Sequence, residues 1–399
     1  MNGELMAAEM AAQPEALARV TARALTDTEA VRAVVPRPLA GVVFLARGSS
    51  DNAAVFGRYL AELRAGRPAG LAAPSLYTRY HATVDWRGYL VVALSQSGAT
   101  PEIISTCRAM RAGGAVVLGI TNEPKSPLAG AVDLLLGTDA GPERAVPATK
   151  TVTTQFAVLV TVTSALRTAA GGVRDTAAAG TRDTAAGGVR DTAAGGVRDT
   201  AAAGTQDVVA GGSRDAAAGG SRDAAAGGSR NAAAGGTSDD GTLEGLPGAV
   251  AAVLADPGPV QRLADRWRGL DRLVVAGRGL AYAAALETAL KVKETTGILA
   301  EGISTADLLH GPIAAVYAGA PVLLVDGGGP ADTDLDDLRA LLAARRAQAA
   351  SLPVPPGLPE AVHVIAAITR GQQLAYELAR ARHVNPDTPA HLSKVTATT

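Results

Sequence analysis

The stretch YLVVALSQSGATP, residues 89–101, decides how this chain is read. Tyr89 to Leu94 is an apolar run of strand length, and Ser95-Gln96-Ser97-Gly98-Ala99-Thr100 follows it as a hydroxyl-rich turn. Thr100 then stands as an N-cap and Pro101 at the first position of a helix. Orphan N–H groups and the positive end of the helix dipole would converge with three hydroxyls on one small volume. Such a volume suits a phosphate. An ordinary strand-to-helix turn with a good cap would carry the same residues, because short Ser/Gly motifs recur by chance.

Working outward, Gly48-Ser49-Ser50 follows the apolar run Val42–Ala46 in the same way. Two Ser-containing loops at the ends of strands in one sheet would grip one phosphate from two sides. A nucleophile elbow does not fit residues 95–100, because Ser95 occupies the first Gly position of Gly-x-Ser-x-Gly. Gly277-Arg278-Gly279 starts like a dinucleotide fingerprint, but its sixth position is Tyr282 and the pattern fails.

The same rhythm extends over both ends of the chain. Runs at Val42–Ala46, Leu90–Leu94, Val116–Ile120 and Leu134–Leu136 alternate with helical patterns at 51–65, 101–112 and 150–168. Runs at Leu273–Ala276, Leu299–Ile303 and Val322–Val325 alternate with helical patterns at 281–296, 333–349 and 367–383. Short continuous Val/Ile/Leu runs between helices predict strands covered on both faces, hence parallel sheets. The expected fold class is α/β, with two tandem three-layer α/β/α units. Ligands in such sheets bind beyond the carboxyl ends of the strands, where residues 95–100 fall.

Between the units runs an eight-residue repeat, Arg174-Asp175-Thr176-Ala177-Ala178, with its Arg recurring at 182, 190, 198, 214, 222 and 230. The unit is too short for a solenoid module and has almost no large apolar residue to bury. Gly–Gly steps oppose helix at about 1 kcal/mol per Gly relative to Ala. Residues 169–247 read as a low-complexity, mostly disordered linker. The expected organisation is a helical segment at 1–32, α/β units at 33–168 and 248–384, and a tail at 385–399.

Composition excludes several classes. The 399 residues suffice for two cores, and 37 Lys+Arg against 38 Asp+Glu leave a net charge of −1. Neither that balance nor an aromatic content of 3% suits a nucleic-acid surface. The lone Cys107 rules out a disulfide framework and a multi-cysteine metal site, and reads as a small buried apolar residue. Residues 1–12 lack a basic start followed by an apolar core, and Phe156 to Leu166 is too short and Thr-interrupted to span a bilayer. A cytoplasmic protein without membrane contact is expected.

Candidate chemistry lies in the second half. Lys291 and Glu294 are three apart and share a helix face, a spacing that usually marks a solvated pair. Glu301 and His310 follow, the latter before the rigid Gly311-Pro312 turn. Lys394 lies in the terminal LSKVT, where a lysine is ordinarily solvated. A carboxylate, an imidazole and an amine together would interconvert an aldose and a ketose. Spacing alone does not bring them together.

Taken together, these blocks make the chain resemble the SIS (sugar isomerase) family, in particular the isomerase half of glucosamine-6-phosphate synthase and the standalone deaminases. The resemblance runs through EMAAQP at 9–14, Gly48-Ser49-Ser50, SQSGAT at 95–100, ERAVPATK at 143–150 and LKVKE at 290–294. It continues through AEG at 300–302, HGP at 310–312, QQLAYELA at 372–379 and LSKVT at the end. It implies that Ser49, Ser50, Ser95, Gln96, Ser97 and Thr100 hold a sugar phosphate. By the same resemblance Glu294 shuttles a proton between C1 and C2 with Lys291 nearby, and His310 opens the ring from a neighbouring subunit. Lys394 lines the pocket and forms an imine. The implied protein is a homodimer or homotetramer that needs no metal and no organic cofactor.

Departures bear on the substrate. The synthase's glutaminase domain and its cysteine nucleophile are absent from this sequence, so no ammonia release from glutamine is expected. Arg47 and Ser49 stand where Cys and Thr are usual, Asp307 where Glu is usual, and Leu309 where a basic residue commonly precedes the histidine. The expected activity is conversion of glucosamine-6-phosphate to fructose-6-phosphate plus ammonia, or the reverse. The alternatives are a deglycase or isomerase of another aminated or ketose phosphate, and a non-catalytic phosphosugar-binding regulator.

Overall fold

Continuous burial of the central strands, with side chains alternating between two cores, organises the first half. In a computed structural model, which describes residues 3–169, 243–390 and 392–394, Val42 and Phe44 face one core while Val43 and Leu45 face another. These residues belong to β1 (Gly41–Leu45). Leu90, Val92 and Leu94 of β3 (Tyr89–Leu94) lie on the first side, with Val91 and Ala93 on the second. Apolar side chains on both faces demand cover on both faces, and that is the physical cause of the three layers. With β2 (Ala69–Leu71), β4 (Val116–Thr121) and β5 (Leu134–Gly137), the strands form one sheet in the order β2-β1-β3-β4-β5. All its pairings are parallel.

The second half repeats the plan. β6 (Arg272–Gly277), β7 (Leu299–Ser304), β8 (Pro321–Val325) and β9 (Gln348–Ser351) make a parallel sheet in the order β7-β6-β8-β9. Leu323 and Val325 face one core, and Val322 and Leu324 the other.

Helices supply the layers. The chain opens with α1 (Glu4–Ala11) and α2 (Gln13–Val34), and α3 (Ser49–Ala65) follows β1. After β2 come α4 (Ser75–Thr78) and, beyond β3, α5 (Pro101–Ala112); α6 (Lys150–Ala169) ends the first half. The second half contains α7 (Leu246–Ala255), α8 (Gly258–Trp267), α9 (Ala281–Thr296), α10 (Thr305–Leu309), α11 (Thr333–Ala344) and α12 (Glu360–Ala381). One continuous core joins α2, α3 and α6 to α9 and α12, with Phe56 and Phe156 at 4.9 Å between ring centroids. The two sheets therefore share a helical layer and are not independent beads.

Three expectations need adjustment. The helix expected over 333–349 stops at Ala344, because Gln348-Ala349-Ala350-Ser351 pairs with β8 as an edge strand. That strand, like β2, lacks the Val/Ile/Leu run that marks a central strand. The helix expected from 367 starts at Glu360. Thr100 is the N-cap residue of α5, yet its hydroxyl does not cap the helix. The repeat and the linker expected at 169–247 lie almost wholly outside the described residues. Where that range is described again, from Leu243, the chain enters α7 at Leu246. No helix among the described residues is long and apolar enough to cross a membrane.

Candidate functional site

The β3–α5 turn is held from inside. Ser95 Oγ accepts from Gly98 N at 3.1 Å and lies 3.4 Å from Thr100 Oγ1. Gly98 adopts φ +58°, and a Cβ there would stand 2.0 Å from Ser126 Oγ, so only glycine fits. The Gln96 carbonyl accepts from Asn122 N at 3.1 Å, which fastens the turn to the end of β4. Pro101 has no N–H, and the first bond of α5 runs from Ile104 N to Thr100 O at 3.1 Å. The donor end of the helix thus faces the turn.

Because β1 pairs with β3 in parallel, the loop after β1 emerges beside this turn. Gly48 takes φ 61° and ψ −136°, and α3 starts at the next residue with Ser49 and Ser50 in its first turn. The two loops form one wall of a cavity of about 390 Å³. Arg47, Ser49, Ser50, Ser95, Gln96, Ser97 and Thr100 all line it.

Lys291, Glu294 and Lys394 line the same cavity. Lys291 and Glu294 are not a solvated pair. The Lys291 side chain is 1% exposed and that of Glu294 24%, and the ammonium donates to the Glu294 carboxylate. On its other side lies Glu287, fully buried, at 3.6 Å. Burial alone would pull the Lys291 ammonium down. Glu294 and Glu287, with Glu143 beyond, outweigh it and hold the group above its ordinary value. Burial pushes the Glu287 carboxyl up, against the opposing pull of Lys291 and Asn52. Asn52 Nδ2 of α3 donates to Glu287 at 2.8 Å and ties the two halves together here.

Lys394 is brought in by the chain ends. The Asp387 carboxylate accepts from Leu5 N at 3.1 Å and Met6 N at 2.8 Å, so the tail caps α1 from the far end of the sequence. The Asp387 carbonyl accepts from Val146 N at 3.0 Å. Lys394 Nζ then donates to Glu143 at 3.0 Å and to the Ala145 carbonyl at 2.7 Å. Buried Glu143 also accepts from Thr149 N at 2.9 Å and Thr151 Oγ1 at 2.6 Å. Burial would raise its carboxyl, but Lys394 and these donors hold it below the usual range. Glu9 of α1 accepts from Arg144 N and Ala145 N, which fixes the same loop. Its own carboxyl is raised by burial.

Two expected members lie elsewhere. Glu301 is exposed and lines a neighbouring groove with Asn52 and Lys293. His310 is exposed at the end of α10 and does not line the cavity of its own chain. Sequence reasoning assigned no role to Glu143, Glu287, Asn52 or Glu9. Glu287 carried a signal, since it precedes Lys291 by one helical turn on the face that Glu294 shares. Glu143 and Glu9 carried none beyond their place in recognisable blocks.

The second sheet does not duplicate the first at its carboxyl edge. There the Gly327 and Gly328 amides each donate to the Asp332 carboxylate at 2.8 Å. A carboxylate of the chain occupies donors that a bound anion would need. Among the described residues no His/Cys/Asp/Glu group is arranged to hold a metal ion.

A family model described as SIS domain matches residues 41–165 and 268–353. A glutamine–fructose-6-phosphate aminotransferase (isomerizing) of Aeropyrum pernix is 30% identical over 411 residues, covering 98% of this chain and 56% of that protein. This chain therefore spans little more than half the length of that relative. The structure of the C-terminal domain of glucosamine-fructose-6-phosphate aminotransferase from Francisella tularensis superposes with a TM-score of 0.72 at 22% identity. It covers 97% of this chain and 98% of that one. A glucosamine-6-phosphate deaminase from Thermotoga maritima gives a TM-score of 0.60 at 17% identity over 97% of this chain and 100% of its own. At these identities the two structures speak to the fold alone.

Proposed function

Because this chain belongs to the SIS-domain family, we propose that it is a phosphosugar isomerase/deaminase acting on an amino-sugar phosphate. The reaction is conversion of glucosamine-6-phosphate to fructose-6-phosphate plus ammonia, or the reverse. The observation that carries this is the single cavity in which the two serine loops face Glu294, Lys291 and Lys394.

In this reading the phosphate is bound by Ser49, Ser50, Ser95, Gln96, Ser97, Thr100 and the start of α5. The sugar carbons then lie toward α9. His310 of a neighbouring copy opens the ring, so the active unit is an oligomer. The Glu294 carboxylate takes the C2 proton of the open aldehyde and returns a proton to C1, leaving a ketose imine. Water adds to C2 and ammonia departs. Lys291, paired with Glu294, holds that carboxylate in place for the first step, and Lys394 supplies an amine at the carbonyl carbons. No step calls on a cofactor.

The test is incubation of the purified protein with glucosamine-6-phosphate and assay of ammonia and fructose-6-phosphate. Absence of release together with absence of the ammonia-dependent reverse reaction overturns the proposal. Arg47 in the cavity wall favours one second reading, an isomerase or deglycase for a different aminated or ketose phosphate. A panel of such phosphates separates the two. Thermal stabilisation by sugar phosphates without turnover of any would instead identify a sensor.

A further inference from the structure

Arg47 closes the loop after β1 and lines the cavity beside Gly48, Ser49 and Ser50. Its side chain is 43% exposed, whereas its partner Glu102 is 10% exposed in the first turn of α5. Arg47 Nε donates to Glu102 Oε2 at 3.0 Å. Among the described residues its two Nη groups make no hydrogen bond. A guanidinium presents five donors in a rigid plane, so fixing Nε sets the direction of the remaining four. Glu102 stands two residues beyond Thr100, so its carboxylate anchors Arg47 against the turn that offers hydroxyls and amides to an anion. Asp51 also faces Arg47; burial pushes its carboxyl up and Arg47 opposes this.

The acidic side chain in that first turn has a second consequence. Glu102 favours the positive end of α5 as any N-terminal carboxylate does, but by itself it would repel an incoming phosphate. Pairing with Arg47 cancels that repulsion and leaves guanidinium donors over for the ligand. The serine hydroxyls and amides are neutral, so Arg47 is the only full positive charge contributed by the two loops that line the cavity.

We infer that Arg47, oriented by Glu102, is a specificity-determining residue that binds the phosphate of the substrate through its Nη donors and selects the dianion. This rests on the placement of the phosphate proposed above. A phosphate monoester carries between one and two negative charges near neutrality, with a second pKa of about 6. A fixed guanidinium gains most from the fully ionised form, so affinity should climb as that proton is lost.

Binding of a simple phosphate monoester, methyl phosphate, to the full chain, measured by calorimetry between about pH 5 and 7.5, tests this without knowledge of the sugar. In R47A the dissociation constant should rise about tenfold and lose most of its pH dependence, the scale of one charge-assisted hydrogen bond. R47K should recover part of the affinity, because an ammonium restores charge without the fixed fork. E102Q should weaken binding less than R47A. On an active sugar phosphate, R47A should act mainly on KM rather than on kcat. Unchanged phosphate affinity in R47A, with affinity lost in S97A, overturns the role of Arg47 and leaves the phosphate placement standing. Unchanged affinity in both variants overturns the placement and this inference with it.

Discussion

The ammonium of Lys394 stands 3.0 Å from the Glu143 carboxylate, although the two residues are 251 positions apart in sequence. Glu143 is fully buried, so its charge needs that partner, and Lys394 at 23% exposure is delivered to the cavity wall in exchange. The pair joins the tail, the ERAVPATK loop and α1 into one support. Removing either member should therefore affect placement as well as chemistry.

For Lys394→Ala we expect turnover to fall at least about 100-fold, the usual scale for a positioned catalytic group. Glu143→Gln should lower turnover as well, because it releases Lys394. In the double variant the two effects should not add, and coupling above about 0.5 kcal/mol in denaturant unfolding would register their contact. Strict additivity would show that the two residues act separately.

Glu294→Gln should cost about 10²–10⁴-fold in kcat with little change in KM, since the amide keeps the shape and loses the base. Steady-state assay on an amino-sugar phosphate reads this directly. A variant with near-normal kcat would remove Glu294 from the proton-transfer step.

Gly98→Ala should destabilise the fold by about 1–3 kcal/mol and weaken phosphate binding, because φ +58° and Ser126 Oγ at 2.0 Å leave no room for a Cβ. Denaturant midpoints and phosphate titration measure both. An unchanged midpoint would mean that the turn relaxes freely.

His363 of α12 is buried behind Gly328, and its Nε2 has no hydrogen-bond partner among the described residues. Burial depresses its pKa below the ordinary 6.5, with Asp332 and Asp326 opposing. The folded state then binds this proton less readily than the unfolded chain. The stability concerned is complete above about pH 6.5 and is lost as pH falls from there toward the depressed value. His363→Gln should flatten that part of the melting-temperature profile. An identical acid-side slope in the variant would assign the loss to other groups.

Much of this was legible beforehand. The central strands announce themselves because both faces are buried, and the serine turns because a strand end, hydroxyls, glycine and a Pro-started helix coincide. Two of the four edge strands were not legible: Ala69-Gly70-Leu71 and Gln348-Ala349-Ala350-Ser351 owe their conformation to a neighbour's free ladder, not to their own composition. Spacing put Lys291 and Glu294 on one helix face but did not report what covers that face. Glu9 and Asp387 gave no sign of their roles, because each acts on backbone amides more than a hundred residues away.

The sequence by itself determined the α/β class, the two parallel sheets and the loops suited to an anion, because local pattern and turn chemistry dictate those features. Tertiary structure alone decided that Lys291 and Glu294 are enclosed, that Lys394 is tied to Glu143, and that Glu301 and His310 stand outside the cavity of their own chain. Burial and long-range pairing are properties of the packed whole. A residue's charge is written in the chain, but whether that charge meets water, a partner or a substrate is settled only when distant segments close around it.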